Sequence, residues 1–107
     1  MNKEIKIAKK IISEEIDNEG FKVEKIILFG SRTRGDFTEE SDWDFLVIIN
    51  KSLSFSETKK LVGKIQMRLA EVKIPNDIIL RGIKDFDKMK GTLGNISCFA
   101  CKEGINI

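Results

Sequence analysis

Apolar residues recur near the start of the chain at the spacing of a helix. Ile5, Ala8, Ile12 and Ile16 form a stripe that Ile11 widens, which predicts an amphipathic helix from about Lys3 to Asn18. Gly20 follows, where a helix C-terminus favours glycine. The pattern then changes. Val23 to Phe29 is a short, β-rich apolar run, and Trp43 to Ile49 is a second, broken only by Asp44. Both read as buried strands, joined by a polar connection from Gly30 to Ser41 that holds two glycines. Asn50 to Ser54 is a turn. Ser54 and Glu57 have the spacing of a capping box, so a helix starts there, with Leu61, Val62, Ile65, Leu69 and Val72 as its apolar face. Pro75 forbids its continuation. Asp77 to Leu80 reads as a third strand, closed by Gly82. A helical piece is expected over Asp85 to Met89. A last helix is expected from a Thr92 cap through Lys102, stopped by Gly104, with Ile105-Asn106-Ile107 as an edge strand.

The order helix-strand-strand-helix-strand-helix does not alternate strictly. It predicts an α+β fold, a small mixed β-sheet covered by helices, in one domain over residues 1–107. At 41% hydrophobic residues the chain supports one core. Lys and Arg number 19 and Asp and Glu 17, so charge alone gives no reason to expect nucleic acid or an anionic membrane as partner. No apolar run approaches the roughly 20 residues of a membrane span. The opening MNKEIKIAKK does not read as a secretory signal, so a cytoplasmic location is expected.

Histidine and tyrosine are both missing from the chain. Imidazole acid–base chemistry, Ser-His-Asp triads and most zinc sites are thereby excluded. Any catalysis must come from carboxylates, hydroxyls, Lys, Arg and backbone amides, and any metal would take oxygen ligands, as magnesium, manganese or calcium do. Cys98 and Cys101 fall inside an apolar, helix-like run near the C-terminus, where buried core thiols are the expected reading. Asp85-Phe86-Asp87 is expected to be surface charge. Lys59, Lys60, Lys64 and Arg68 are expected on a solvated helix face, interrupted by Glu57 and Glu71.

The chemistry concentrates between residues 28 and 45, in Leu28-Phe29-Gly30-Ser31-Arg32-Thr33-Arg34-Gly35 and then Asp42-Trp43-Asp44-Phe45. Asp42 and Asp44 stand two apart at the start of an apolar strand, so both point to one face, with Cα atoms about 6–7 Å apart. Two like charges there repel, and a divalent cation would resolve the conflict. Such a pair can converge on one ion or bridge two ions about 3.5–4 Å apart. Asp77 leads the third strand in the same manner. If that strand neighbours the second, three carboxylates meet at one sheet end, and the third can complete a metal shell or take a proton from an attacking hydroxyl. After Pro75, Asn76-Asp77 is also ordinary turn chemistry.

Gly30 permits close approach of a ligand to the backbone, and Ser31 adds a hydroxyl and the amides of a following helical turn. Ser31 is also suited to capping a short helix. Arg32 and Arg34 place positive charge nearby, either for phosphate or as solvated loop charge. A phosphate-binding turn beside carboxylates suggests nucleotide chemistry. It is not a P-loop, because GSRTRGDF has Asp-Phe where Lys-Ser/Thr must follow.

Gly30-Ser31, ten residues, and then Asp42-x-Asp44 resembles the signature of the DNA polymerase β-like nucleotidyltransferase superfamily. The short length resembles its minimal nucleotidyltransferases, the MNT proteins. Ser-Arg-x-Arg-Gly after Gly30, Ser41 before the first acid, the Asp-led strand at Asp77 and the ending from Gly91 to Ile107 extend the similarity over most of the chain. Trp43 departs from the aliphatic residue usual between the two acids. It is expected to face away from them and be tolerated.

The resemblance implies that Gly30 and Ser31, with Arg32 and Arg34, bind the triphosphate of an NTP, probed most naturally as ATP. It implies that Asp42, Asp44 and Asp77 bind two Mg2+ ions and carry catalysis. The reaction would be attack of a hydroxyl on the α-phosphorus, with release of pyrophosphate. MNT proteins pair with HEPN-domain proteins as antitoxin with toxin, and some transfer AMP to a tyrosine of the toxin. With no Tyr here, a tyrosine acceptor must lie on another chain. A second copy of this chain or a partner would complete the pocket. Two alternatives stand beside this reading: a non-catalytic antitoxin or scaffold that neutralises a HEPN partner by binding, and a small-molecule nucleotidyltransferase.

Overall fold

A computed structural model of the chain describes residues 3–35, 37–89 and 104–107. Its elements are α1 (Lys3–Asn18), β1 (Val23–Phe29), α2 (Ser31–Arg34), β2 (Trp43–Ile49), α3 (Phe55–Glu71), β3 (Asn76–Gly82), α4 (Ile83–Met89) and β4 (Ile105–Asn106). The sheet order is β3-β2-β1-β4. β1 is antiparallel to both β2 and β4, whereas β2 and β3 run parallel. Parallel neighbours need a crossover, and α3 supplies it. The sheet is therefore mixed, as the element order predicts.

α1 and α3 cover one face. Ile5, Ala8, Ile11, Ile12 and Ile16 of α1 and Leu61, Ile65 and Leu69 of α3 are buried against Ile26, Leu28, Trp43, Phe45, Val47, Ile49, Ile78 and Leu80 of the strands. Strand side chains alternate, so the intervening residues face the other way. There Ile27, Leu46 and Ile48 form a smaller cluster with Phe86 of α4.

Local chemistry sets the helix ends. After α1, Gly20 adopts φ 85°, its N–H donates to the Asp17 carbonyl at 3.0 Å, and the Phe21 N–H reaches the Ile16 carbonyl at 3.1 Å. This is a Schellman closure, and Phe21 packs onto the core beneath it. The capping box of α3 is present. The Ser54 hydroxyl accepts from the Glu57 N–H, and the Ser54 N–H donates to the Glu57 carboxylate, both at 3.1 Å.

Several expectations need correction. α3 stops on a second Schellman closure, Lys73 to Ala70 and Ile74 to Leu69, before Pro75 is reached. Lys73 takes φ 60° there, a left-handed conformation that costs a side-chain-bearing residue about 1 kcal/mol. Val72 therefore lies past the helix and is exposed instead of on its apolar face. β3 is longer than predicted at both ends, and α4 begins at Ile83, not Asp85. The polar connection contains α2, and Gly30, not Ser31, occupies its N-cap position. Lys64 and Arg68 do not sit on a purely solvated face: Lys64 pairs with Glu19 at 2.6 Å, and Arg68 with Glu14 and Glu15 at 2.9 and 3.0 Å, tying α3 to α1. Asp85 accepts a hydrogen bond from the Ser52 hydroxyl at 3.0 Å, while Phe86 beside it is buried. The helix expected over Thr92 to Lys102, with Cys98 and Cys101, lies outside the described residues. Among those described, no helix is long and apolar enough to cross a membrane.

Candidate active site

β2 begins as a buried strand must, but its second residue is a carboxylate. Trp43 and Phe45 turn into the helix-covered core. Asp44 between them shares the opposite face with Leu46 and Ile48. In the parallel register Asp44 stands beside Asp77, and in the antiparallel register it stands beside Phe29. Neighbouring strands lie about 4.8 Å apart, so the two carboxylates rise side by side from one sheet face. Asp42 sits one residue before β2, exposed, in the loop rather than in the strand from which its direction was predicted.

The electrostatics follow from this placement. Burial pushes the Asp44 carboxyl above its ordinary value, the negative charges of Asp77 and then Asp42 push it further, and Arg34 opposes them. Arg34 thus lies close enough to act on the acids. Asp42 and Asp77 are exposed, whereas Asp44 is half-buried.

Gly30 closes one side. It adopts φ 81° and ψ −160°, a region open essentially to glycine alone. A Cβ built there would fall 3.0 Å from Cγ of Asp44 and closer still to its Oδ2. The backbone at Gly30 is therefore pressed against the carboxylate, and any side chain would displace it. The Gly30 carbonyl accepts from the Thr33 hydroxyl at 2.7 Å and from the Thr33 N–H at 3.1 Å, which fixes the turn. Gly35 at φ 84° ends α2, its N–H donating to the Ser31 carbonyl at 3.1 Å.

The loop that delivers Asp42 is also built. The Ser41 hydroxyl accepts from the Thr38 N–H at 2.9 Å, and the Ser41 N–H donates to the Thr38 carbonyl at 3.1 Å. The Trp43 N–H donates to the Pro75 carbonyl at 2.9 Å, joining the start of β2 to the residue before β3. These contacts were not predicted; the Ser/Thr pair at three-residue spacing was the available signal.

The structure thus brings together Gly30, Asp44 and Asp77, with Asp42 and Arg34 within electrostatic reach. Ser31 opens α2 beside them. Arg32, expected either at phosphate or as solvated loop charge, has its donors engaged within the loop. Its Nε and Nη2 donate to the Ser41 carbonyl at 3.3 and 2.9 Å, and Nη2 also reaches the Glu39 carbonyl at 3.3 Å. It is directed at the loop and at Trp43, away from the face that Asp44 and Asp77 share.

As the side chains stand, no three carboxylates among the described residues close onto one ligand position. The donor set nonetheless fits a hard divalent cation. It offers oxygens only, and it holds a half-buried carboxylate whose acidic neighbours repel it.

Residues 6–90 match the family described as "Polymerase beta, Nucleotidyltransferase". The chain belongs to this family. Two curated relatives come from Methanocaldococcus jannaschii. "Putative protein adenylyltransferase MJ0141" is 42% identical over 41 residues, which is 38% of this chain and 41% of the relative. "Putative protein adenylyltransferase MJ0604" is 63% identical over 27 residues, 25% of this chain and 27% of the relative. The alignments thus span well under half of either relative.

Solved structures share the fold over nearly the whole chain. A crystal structure of a toxin–antitoxin with AMP-PNP matches with TM-score 0.62 and 20% identity, covering 98% of this chain and 72% of the matching one. A mutant MntA–HpeT toxin–antitoxin complex matches with TM-score 0.59 and 22% identity, over 100% and 72% of the two chains. A structure of tri-AMPylated Shewanella oneidensis HEPN toxin in complex with MNT antitoxin matches with TM-score 0.54 and 18% identity, over 96% and 66%. At these identities the likeness is one of fold.

Proposed function

We propose that this chain transfers AMP from ATP to a hydroxyl group of a protein partner, and that the partner is a HEPN-domain toxin whose antitoxin this chain is. The observation that carries the reading is the row formed by Gly30, Asp44 and Asp77, in which a glycine turn and two carboxylates abut on one sheet face. Family membership supplies the reaction class. The names of the relatives and the AMPylated toxin in a fold neighbour support the acceptor class.

The chain's own residues divide the work. The backbone at Gly30 and Ser31 receives the triphosphate, and a Cβ at Gly30 would displace the Asp44 carboxylate beside it. Arg34 offsets negative charge beside Asp44. Asp42, Asp44 and Asp77 would hold two Mg2+ ions. Two ions held there would supply Lewis-acid activation of the attacking oxygen and stabilisation of the leaving one. The acceptor oxygen forms a bond to the α-phosphorus as the bond from that phosphorus to the bridging oxygen breaks. Pyrophosphate leaves with the electron pair, and Asp77, an exposed carboxylate, would take the hydroxyl proton. ATP and Mg2+ are both plentiful in the cytoplasm, where we place this activity.

The test is intact-mass spectrometry of the chain incubated with its genomic neighbour, ATP and Mg2+. AMP added to the neighbour and abolished by chelation is the expected result. A stable complex with no mass change would replace transfer by neutralisation through binding.

A further inference from the structure

Arg32 follows the Gly30-Ser31 turn in sequence, yet its side chain is turned to the loop that precedes β2 and to the Trp43 ring. Arginine carries a planar fork of donors with two flat faces, and here both features are used. The donors engage the Ser41 carbonyl twice and the Glu39 carbonyl once. The guanidinium carbon lies 4.3 Å from the centre of the Trp43 ring and 4.7 Å from that of Phe37, within cation–π range of both.

Ser41 and Trp43 are the residues immediately before and after Asp42. Trp43 is buried at 6% exposure and bonded through its N–H to Pro75, two residues from Asp77. Asp42 itself lies outside the strand, where no ladder bond fixes it. A cleft of about 350 Å³ lined by Arg32, Phe37, Trp43, Lys73 and Pro75 borders the clasp, so this loop is not held by dense packing alone.

We infer that Arg32 is a positioning residue: by gripping the Ser41 carbonyl and the Trp43 ring it fixes the backbone on both sides of Asp42 and so aligns that carboxylate with Asp44 and Asp77. The inference rests on the reading of these acids as the metal site of a transferase. It also gives Trp43 a task, since an aliphatic side chain would offer the guanidinium no ring. Lysine cannot replace Arg32 in this role. Its ammonium is a single point of charge and cannot hold two carbonyls and two ring faces at once.

Arg32→Lys and Arg32→Met separate this role from phosphate binding. Trp43 is the only tryptophan and tyrosine is missing, so the intrinsic emission of the full chain reports the clasp directly. Binding is read from the electron paramagnetic resonance of free Mn2+ in the presence of α,β-methylene-ATP, which cannot transfer its nucleotide. Both variants are expected to shift the Trp43 emission and to weaken Mn2+ binding by about tenfold or more, the usual effect of losing a group that orients a metal ligand. Where transfer is followed, kcat falls while KM for ATP is little changed. Phe37→Leu, at a residue 45% exposed, removes one ring without opening the core and is expected to move each readout in the same direction by a smaller amount.

Unchanged Trp43 emission, or an Arg32→Lys that retains Mn2+ binding and kcat while Arg32→Met raises only KM for ATP, would overturn the inference in favour of a phosphate contact. Wild-type protein that binds no Mn2+ would overturn the metal-site reading itself, and the positioning role with it. Wild type and Arg32→Lys binding Mn2+ equally would sink the positioning role alone.

Discussion

The two faces of the sheet are made from the same strands and do opposite things. On the α1–α3 face, alternate residues of β1, β2 and β3 are apolar and buried, and α3 is joined by Arg68 to Glu14 and Glu15 of α1 and by Lys64 to Glu19 just past its end. On the other face, β2 changes from Leu46 and Ile48 to Asp44 within one strand repeat, and β3 from Ile79 to Asp77. The first face lowers its free energy by removing apolar surface from water. The second gathers like charges at the sheet end and presses a strained glycine against one of them. Local conflict of this kind persists where the rest of the fold determines the backbone, and it marks functional sites. The comparison teaches that the core and the site are separable although they share β2.

The sharpest way to break that separation is to remove the acids and keep the strand. Asp42→Asn with Asp44→Asn should lower transfer by more than about 10³-fold, the scale of losing a principal electrostatic element, while circular dichroism shows an intact fold. Gly30→Ala should come next. Its Cβ meets the Asp44 carboxylate, so transfer should drop about 10²-fold through misplacement. Denaturant unfolding should show a stability loss of more than about 1 kcal/mol from the left-handed φ.

A change on the closed face should have the reverse profile. Ser54→Ala removes the cap of α3 and should cost about 1 kcal/mol, or about 4–8 °C in Tm, with transfer rates measured well below Tm unchanged. Ser54 also holds the Glu57 carboxyl below its ordinary value of 4.5. That part of the cap's contribution is present above pH 4.5 and fades as the pH falls through the lowered value.

The smallest effect sharpens the comparison from the charged side. The folded Asp44 pKa lies above the ordinary 3.8, so its ionisation works against the fold. Thermal melts without metal should show wild type losing stability relative to Asp44→Asn as pH rises from 3.8 through the raised value. The two should coincide below that window. Mg2+ should recover the difference for wild type and leave Asp44→Asn unmoved.

Much of this was legible in the chain. Helical spacing gave α1, the Ser54–Glu57 pair gave the start of α3, and β-rich runs gave β1 and β2 with their observed limits. Asp44 stood out as a candidate because it interrupts an apolar run that packing alone would continue, and Gly30 and Asp77 because they stand at strand ends. What stayed hidden depends on elements meeting in space. The pairing of Arg68 with Glu14 and Glu15 requires α1 to lie against α3, which no local spacing states. The direction of Arg32 was decided by the Trp43 ring and the Ser41 carbonyl, nine or more residues away. The stop at Lys73 escaped because a non-glycine residue took the left-handed position, and only the hydrogen bonds of Ile74 and Lys73 reveal it.

The most direct test of the central claim follows two labels. The chain and the proposed HEPN-domain partner are incubated with Mg2+ and ATP labelled either at the α- or at the γ-phosphate, for wild type and for Asp44→Asn. The account predicts that α-label becomes bound to protein with wild type only, while γ-label is released as pyrophosphate. Bound γ-label, or α-label bound equally well by Asp44→Asn, would contradict it.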